Sequence, residues 1–283
     1  MCSFKTERRK LRRELETLIH RQDPFRVPED PVKFCQLLGF KPTTYQVKLL
    51  LDKAQFIAAR WSRQSGKSHI VAVLILWLCL RTPEFNVVVV APSLRQSKII
   101  IRKISSFLRH LPRHVAPKPL KTKIEFYNGS RIQAYPNNPE TIRGEPAVGL
   151  VLADELNYVR DDLELYDAVI FTLATTNGRF LATSTPGTRD SLFYSMCTDD
   201  VAFGNVSRHH VTYRDALEPN GPLKHNILEQ IKKQYQADPW RWTREMEAEF
   251  AEDEDAWFSM SLITGCIDQD LEPIPDDVFL TPR

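Results

Sequence analysis

Arg60-Trp61-Ser62-Arg63-Gln64-Ser65-Gly66-Lys67-Ser68 stands between two apolar segments of different length. Upstream, Gln55 to Ala59 reads as a short buried strand. Downstream, Ile70 to Leu80 is an almost unbroken apolar run, as in a helix buried on all sides. Strand, tight loop ending in Gly-Lys-Ser, then helix is the context of a phosphate-binding loop, whose backbone N–H groups and helix N-terminus point at an anion. Lys67 would neutralise β- and γ-phosphates, and the Ser68 hydroxyl would complete a Mg²⁺ shell. The loop departs from G-x-x-x-x-G-K-[ST], because Trp61 stands where the first glycine is expected.

A chain of 283 residues with 42% apolar and 26% charged residues is of ordinary globular composition and can bury a substantial core. The net charge of +2 leaves any nucleic-acid affinity to local clusters. Five dispersed cysteines without C-x-x-C pairing argue for reduced thiols and against a zinc site. The N-terminus has no apolar core of a secretory signal, and Ile70–Leu80 is too short to span a bilayer. A soluble intracellular protein is expected.

Residues 1–33 read as a basic amphipathic helix (Lys5, Arg8, Arg12, Arg13) followed by a proline-rich connector; the helix is a solvated face or docking arm, with nucleic-acid or partner contact as the alternative. From Leu38-Gly39-Phe40 the chain turns into a helix capped by Thr43 or Thr44. Tyr45 and Gln46, about twenty residues before the loop, could stack on adenine and read its edge, although an aromatic at a helix start is more often core. Asn86–Pro92 is a buried parallel strand, and the helix over Ser93–Leu111 carries Arg95, Lys98, Arg102, Lys103 and Arg109 on its polar side. Such a row is a solvated face unless the protein works on DNA. Asn128-Gly129 between alternating segments predicts a hairpin.

Ala147–Ala153 is an apolar strand that runs into Asp154-Glu155, at the edge where a parallel sheet presents ligands. Asp154 would hold the Mg²⁺ shell and Glu155 would polarise an attacking water. Just upstream, Arg143 either reaches a γ-phosphate, its own or a neighbour's, or pairs with Glu140 or Glu145. Thr183, Ser184 and Thr185 end a third strand, where they would sense the γ-phosphate or cap the next helix. His209-His210 are adjacent on a further strand and face opposite sides, a poor metal pair. Two helices are expected after that, over about 224–237 and 239–250. The fold class is α/β, a mainly parallel central sheet flanked by helices with a β-hairpin insertion.

This set of motifs resembles the ATPase motor domain of the large terminase subunit of tailed bacteriophages, over about residues 34–258. Ser62-Arg63-Gln64-Ser65-Gly66-Lys67-Ser68 matches that family's Ser-Arg-Gln-x-Gly-Lys-[Ser/Thr]. Leu38-Gly39-Phe40 through Tyr45-Gln46 looks like its adenine-side motif, and Thr183-Ser184-Thr185-Pro186-Gly187 stands where its coupling motif does. The resemblance implies a RecA-like P-loop ATPase of the additional-strand, catalytic-glutamate type, binding ATP and Mg²⁺. It implies Arg63 as a sensor of the γ-phosphate in cis, Arg143 as a finger in trans, and Thr183, Ser184 and Thr185 as coupling residues. It further implies double-stranded DNA, portal protein and small terminase subunit as partners. The expected assembly is a pentameric ring docked on a procapsid in the host cytoplasm, with a monomer as the alternative for the chain alone. The family usually continues into a nuclease. Residues 259–283, with Asp268, Asp270, Asp276 and Asp277, are too few to build one, so no nuclease activity is expected. Two other readings stand beside this one: a helicase-like DNA-dependent ATPase, and a nucleotide-binding module that does not hydrolyse.

Overall fold

In a computed structural model the chain is described over residues 25–250, together with positions 7, 11, 265 and 266. The expected N-terminal helix and the tail beyond 258 lie outside the described residues, apart from those isolated positions. The β-branched run Asn86–Ala91 forms β2, and its side chains divide by strict alternation. Val87 and Val89 enter one core, while Val88 and Val90 enter the core on the opposite face of the sheet. A strand apolar on both faces has to be covered on both sides.

Two helices precede the sheet, α1 (Pro31–Leu37) and α2 (Thr44–Leu51). Thr43 caps α2 through a capping box with Gln46. Strand β1 (Phe56–Trp61) leads through the Gly-Lys-Ser loop into α3 (Lys67–Arg81), and β2 leads into α4 (Leu94–Leu108), which is capped by Ser93. Next come β3 (Lys123–Glu125), β4 (Arg131–Pro136), a single turn α5 (Pro139–Ile142) and β5 (Val148–Asp154). The rest is α6 (Asp162–Ala174), β6 (Arg179–Ser184), α7 (Leu192–Thr198), β7 (Ser207–Val211), α8 (His225–Gln234) and α9 (Pro239–Trp242).

The sheet order is β3-β4-β2-β5-β6-β1-β7, parallel throughout except for β3 against β4. This is the expected α/β class. The expected hairpin around Asn128-Gly129 is present; its last pair is Glu125 with Arg131, so residues 126–130 form its loop. Asn128 is held there by its side chain on the Cys79 carbonyl, and Gly129 takes the positive φ of +87°. The helix expected over 239–250 also divides. A short α9 passes into a π-helical turn over Thr243–Glu247, and Ala248 at φ +54° ends it.

The order places β6 between β5 and β1, with Asp154 beside Thr183 and Arg60 beside Ser184. The Gly-Lys-Ser loop, the two acids and the three hydroxyls therefore emerge together at one sheet edge. Among the described residues no helix is long and apolar enough to cross a membrane, and the four described cysteines are free.

Candidate nucleotide site

The loop is built from below. Trp61 is fully buried at the end of β1, on the face of the sheet covered by α2, α3 and α4, and Tyr45 meets it edge to face with ring centroids 5.1 Å apart. The Tyr45 hydroxyl donates to the Ser65 carbonyl at 2.8 Å, and burial pushes its pKa up, which keeps it a donor. Tyr45, expected to offer its ring to adenine, is thus a prop beneath the loop. Gln46 is buried beside it and spends its Oε1 on the Thr43 N–H, while its Nε2 faces Gly66. At Gly66 the backbone sits at φ +88°, and a Cβ there would come within 2.7 Å of Gln46 Nε2.

Within the loop, Ser65 Oγ donates to the Ser62 carbonyl at 2.7 Å, and the Ser62 N–H is tied to Val211 of β7. Ser62 Oγ is buried without a partner among the described residues, and Gln64 takes φ +61°. The Arg63 N–H donates to the Glu245 carbonyl at 2.9 Å, and the Arg63 guanidinium, largely exposed, lies 3.5 Å from the Glu245 carboxylate.

Above the loop the acids converge. Lys67 is buried, and its Nζ meets Glu155 Oε1 at 2.8 Å. The other Glu155 oxygen accepts from Ser184 Oγ at 3.3 Å and from the Thr185 N–H at 3.4 Å. Thr183 Oγ1 donates to Asp154 Oδ1 at 2.6 Å. Burial raises the Asp154 pKa, with Lys67 opposing the rise, and Glu155 adding to it. The three hydroxyl-bearing residues are therefore bonded to the two acids. The next helix takes its cap from Ser191 instead, which removes the capping alternative.

Lys67, Asp154, Glu155 and Thr185, with Ser62, Arg63, Gln64 and Gly66 of the loop, line a cleft of roughly 590 Å³ that also takes in Ser68, His69, Gln96, Lys103 and Tyr158. Those last four and Glu245 were not singled out for this site by sequence. His69 sits between the rings of Phe40 and Phe107, and burial lowers its pKa, helped by Lys103. Arg143 is not in the cleft. It is exposed and lines a separate cavity with Asp167 and Phe171, while Glu145, one of its expected partners, is engaged by Arg131 and Tyr135.

The residues fit Mg²⁺-bound ATP. A glycine cradle that a Cβ would obstruct, a buried ammonium and a helix N-terminus face the same space. No cluster of three or more metal-ligating His, Cys, Asp or Glu exists among the described residues. A magnesium ion there would be held by Ser68, by Asp154 and otherwise by phosphate oxygens and water, the usual way Mg²⁺ is bound beside a nucleotide.

No curated protein sequence matches this chain. Solved structures do. The large terminase ATPase domain of Thermus phage P74-26 superimposes with a TM-score of 0.60 at 19% identity, covering 80% of this chain and all of that one. The large terminase of another thermophilic bacteriophage gives 0.63 at 13% identity, and that of bacteriophage HK97 gives 0.61 at 14%, each over 75% of this chain. The chain spans 54% and 51% of those two proteins. At such identities the likeness is one of fold, that of terminase ATPase domains. The sequence itself matches the model of the terminase large subunit, T4likevirus-type, N-terminal region, over residues 60–265. With most of its length accounted for by that model, the Gly-Lys-Ser loop, Asp154, Glu155 and Thr183 to Thr185 inside the matched part and its fold shared with phage terminases, the chain belongs to the terminase large subunit family, as an ATPase domain of the viral DNA-packaging motor.

Proposed function

We propose that the chain hydrolyses ATP in this cleft and that hydrolysis drives double-stranded DNA into a procapsid. The observation that carries the reading is the wiring of Glu155. One of its oxygens is held by Lys67, the other by Ser184 and Thr185. Phosphates seated on the loop would draw Lys67 to themselves and release Glu155 Oε1 to accept a proton from water. Mg²⁺, held by Ser68 and Asp154, would supply charge neutralisation at the phosphate oxygens. Arg63 would leave Glu245 to meet the γ-phosphate. Loss of that phosphate would be felt first by Glu155 and then by Ser184 and Thr185, which is the proposed coupling route.

Arg143 acts in trans on this reading, since it is exposed, away from its own cleft and free of Glu145. The second of the thermophilic-phage terminases has been solved with ADP and with ATP-gamma-S, which supports nucleotide binding here by family likeness. Portal protein and small terminase subunit as partners, a pentameric ring and docking on the procapsid in the host cytoplasm are part of the same proposal, supported by family membership.

The test is steady-state ATP turnover at increasing protein concentration, with and without duplex DNA. Turnover that is absent under all these conditions would overturn the hydrolase reading and leave a binding module. Mixing Arg143→Ala with Lys67→Ala should restore part of the lost turnover, because one variant supplies the finger and the other the site. No recovery at any ratio would remove the trans role.

A further inference from the structure

Residues 85–124 hold nine Lys and Arg and not one Asp or Glu. With 36 acids in 283 residues, a stretch of forty would ordinarily hold about five. A solvated helix face usually mixes both signs, since opposite charges three or four residues apart support the helix. This one does not, although the chain as a whole is only +2.

The structure sorts α4, the centre of that stretch, into three stripes. Ser97, Ile100, Ile101, Ile104 and Phe107 are buried against the sheet and α3. Gln96, Ile99 and Lys103 line the nucleotide cleft. Arg95, Lys98, Arg102 and the C-capping residue Arg109, still in helical conformation, make up the third, lying within about 60° of one another around the axis and running about 21 Å along it. Three of the four are exposed, Lys98 partly, and none of them makes an ion pair with a described carboxylate. Arg113, exposed and likewise without an ion pair to a described residue, continues the stripe into the following loop. Parallel cations with no counter-charge repel one another, so the arrangement lacks an internal electrostatic reason.

We propose that this outer stripe of α4, continued at Arg113, is a track for the phosphate backbone of duplex DNA. Its length matches about six phosphates of one strand at about 3.4 Å of axial rise each. Contacts from Arg and Lys to phosphate carry no base information, which is what a sequence-independent grip requires. The same helix carries Lys103 and Gln96 into the cleft one stripe away, so a load on the outer stripe reaches the nucleotide through a rigid element. The choice of DNA over another polyanion rests on the packaging-motor reading. The stripe itself does not.

The experiment is binding of a fluorescent 30-base-pair duplex of arbitrary sequence by the full chain, without nucleotide, over a salt series. Arg95→Glu/Arg102→Glu/Arg109→Glu should bind at least tenfold more weakly at moderate salt. Its log-log salt slope should be shallower by about 0.9 for each phosphate that the stripe no longer neutralises. A control with the same charge change, Lys48→Glu/Lys53→Glu/Lys233→Glu on other exposed positions, should keep most of the affinity. Both triples should retain the parental melting temperature and DNA-free ATP turnover. Equal weakening in the two triples, or an unchanged slope, would overturn the proposal, as would poly-L-glutamate competing as well as DNA. Turnover missing in the parent would sink the hydrolase reading and leave this one standing.

Discussion

Lys67 and Glu155 hold each other across the cleft, Nζ to Oε1 at 2.8 Å, so the proposed phosphate ligand and the proposed base neutralise one another in this structure. Glu155→Gln removes the charge that competes with phosphate for Lys67 while keeping the shape. Nucleotide should bind at least as tightly as to the parent, and turnover should fall by about 10²–10⁴-fold, the usual contribution of a general base. Lys67→Ala should lose binding itself. A titration with a fluorescent ATP analogue beside a phosphate-release assay separates the two. Weaker binding by Glu155→Gln would mean that the ion pair is not the competitor described here.

Asp154 is a buried carboxyl whose pKa is raised by burial, an effect that Lys67 opposes and Glu155 reinforces. The folded state therefore holds this proton more tightly than the unfolded chain does. The contribution is stabilising below the ordinary aspartate range and is lost as pH rises through the raised value, where a charge must be carried inside the protein. Asp154→Asn removes that cost, keeps an acceptor for Thr183 and leaves the Lys67–Glu155 pair balanced. The nucleotide-free protein should melt higher at neutral pH, by about 2–4 °C for each kcal/mol regained. Magnesium-dependent turnover should be lost. A lower melting temperature would show that the charged carboxylate is paired well enough to stabilise the fold.

Trp61 occupies the place where the general loop pattern has glycine, and restoring that glycine should damage the protein. Its indole is completely buried against Tyr45 beneath the loop. Trp61→Gly would leave a cavity and a flexible strand end, costing at least about 3–5 kcal/mol, the range for truncating a buried aromatic. Tyr45→Phe is the milder probe. It keeps the ring contact and strands the Ser65 carbonyl, at a cost of about 1–3 kcal/mol, and it should weaken nucleotide binding by loosening the loop. Chemical denaturation measures both. A Trp61→Gly protein as stable as the parent would mean that the indole is not what supports the loop.

What could be read from the sequence follows how local each signal is. The Val87–Val90 run, the apolar helix after Lys67 and the acids at the end of β5 announce themselves within a few residues, since strand burial and sheet-edge chemistry act on neighbours in sequence. Thr183, Ser184 and Thr185 could be picked as strand-end hydroxyls, but their attachment to Asp154 and Glu155 depends on β6 lying next to β5, which is set by sheet order. Glu245 meets Arg63 across 182 residues, and Gln96 and Lys103 enter the cleft because α4 turns one stripe towards it. No local pattern marks either. Tyr45 did have a signal. A tryptophan at a glycine position has to be packed against something large, and the aromatic at the start of the preceding helix was the available partner.

Arg63 and Glu245 make the last testable pair. Their backbones are joined by a 2.9 Å hydrogen bond, and their side chains stand 3.5 Å apart with the guanidinium 67% exposed. An ion pair so open to water is worth about 0–1 kcal/mol, so Glu245→Gln should leave the melting temperature nearly unchanged. Its kinetic effect should be larger, because the carboxylate and a γ-phosphate would compete for the same guanidinium. Removing the competitor should lower the KM for ATP relative to the parent. Arg63→Ala should lower kcat, and the double variant should resemble Arg63→Ala alone, since without the arginine the glutamate has nothing to withhold. Stopped-time phosphate release on the four proteins closes this double-mutant cycle. If the two substitutions instead act independently, Glu245 affects the site by some route other than Arg63, and the arginine's proposed move from acid to phosphate loses its support.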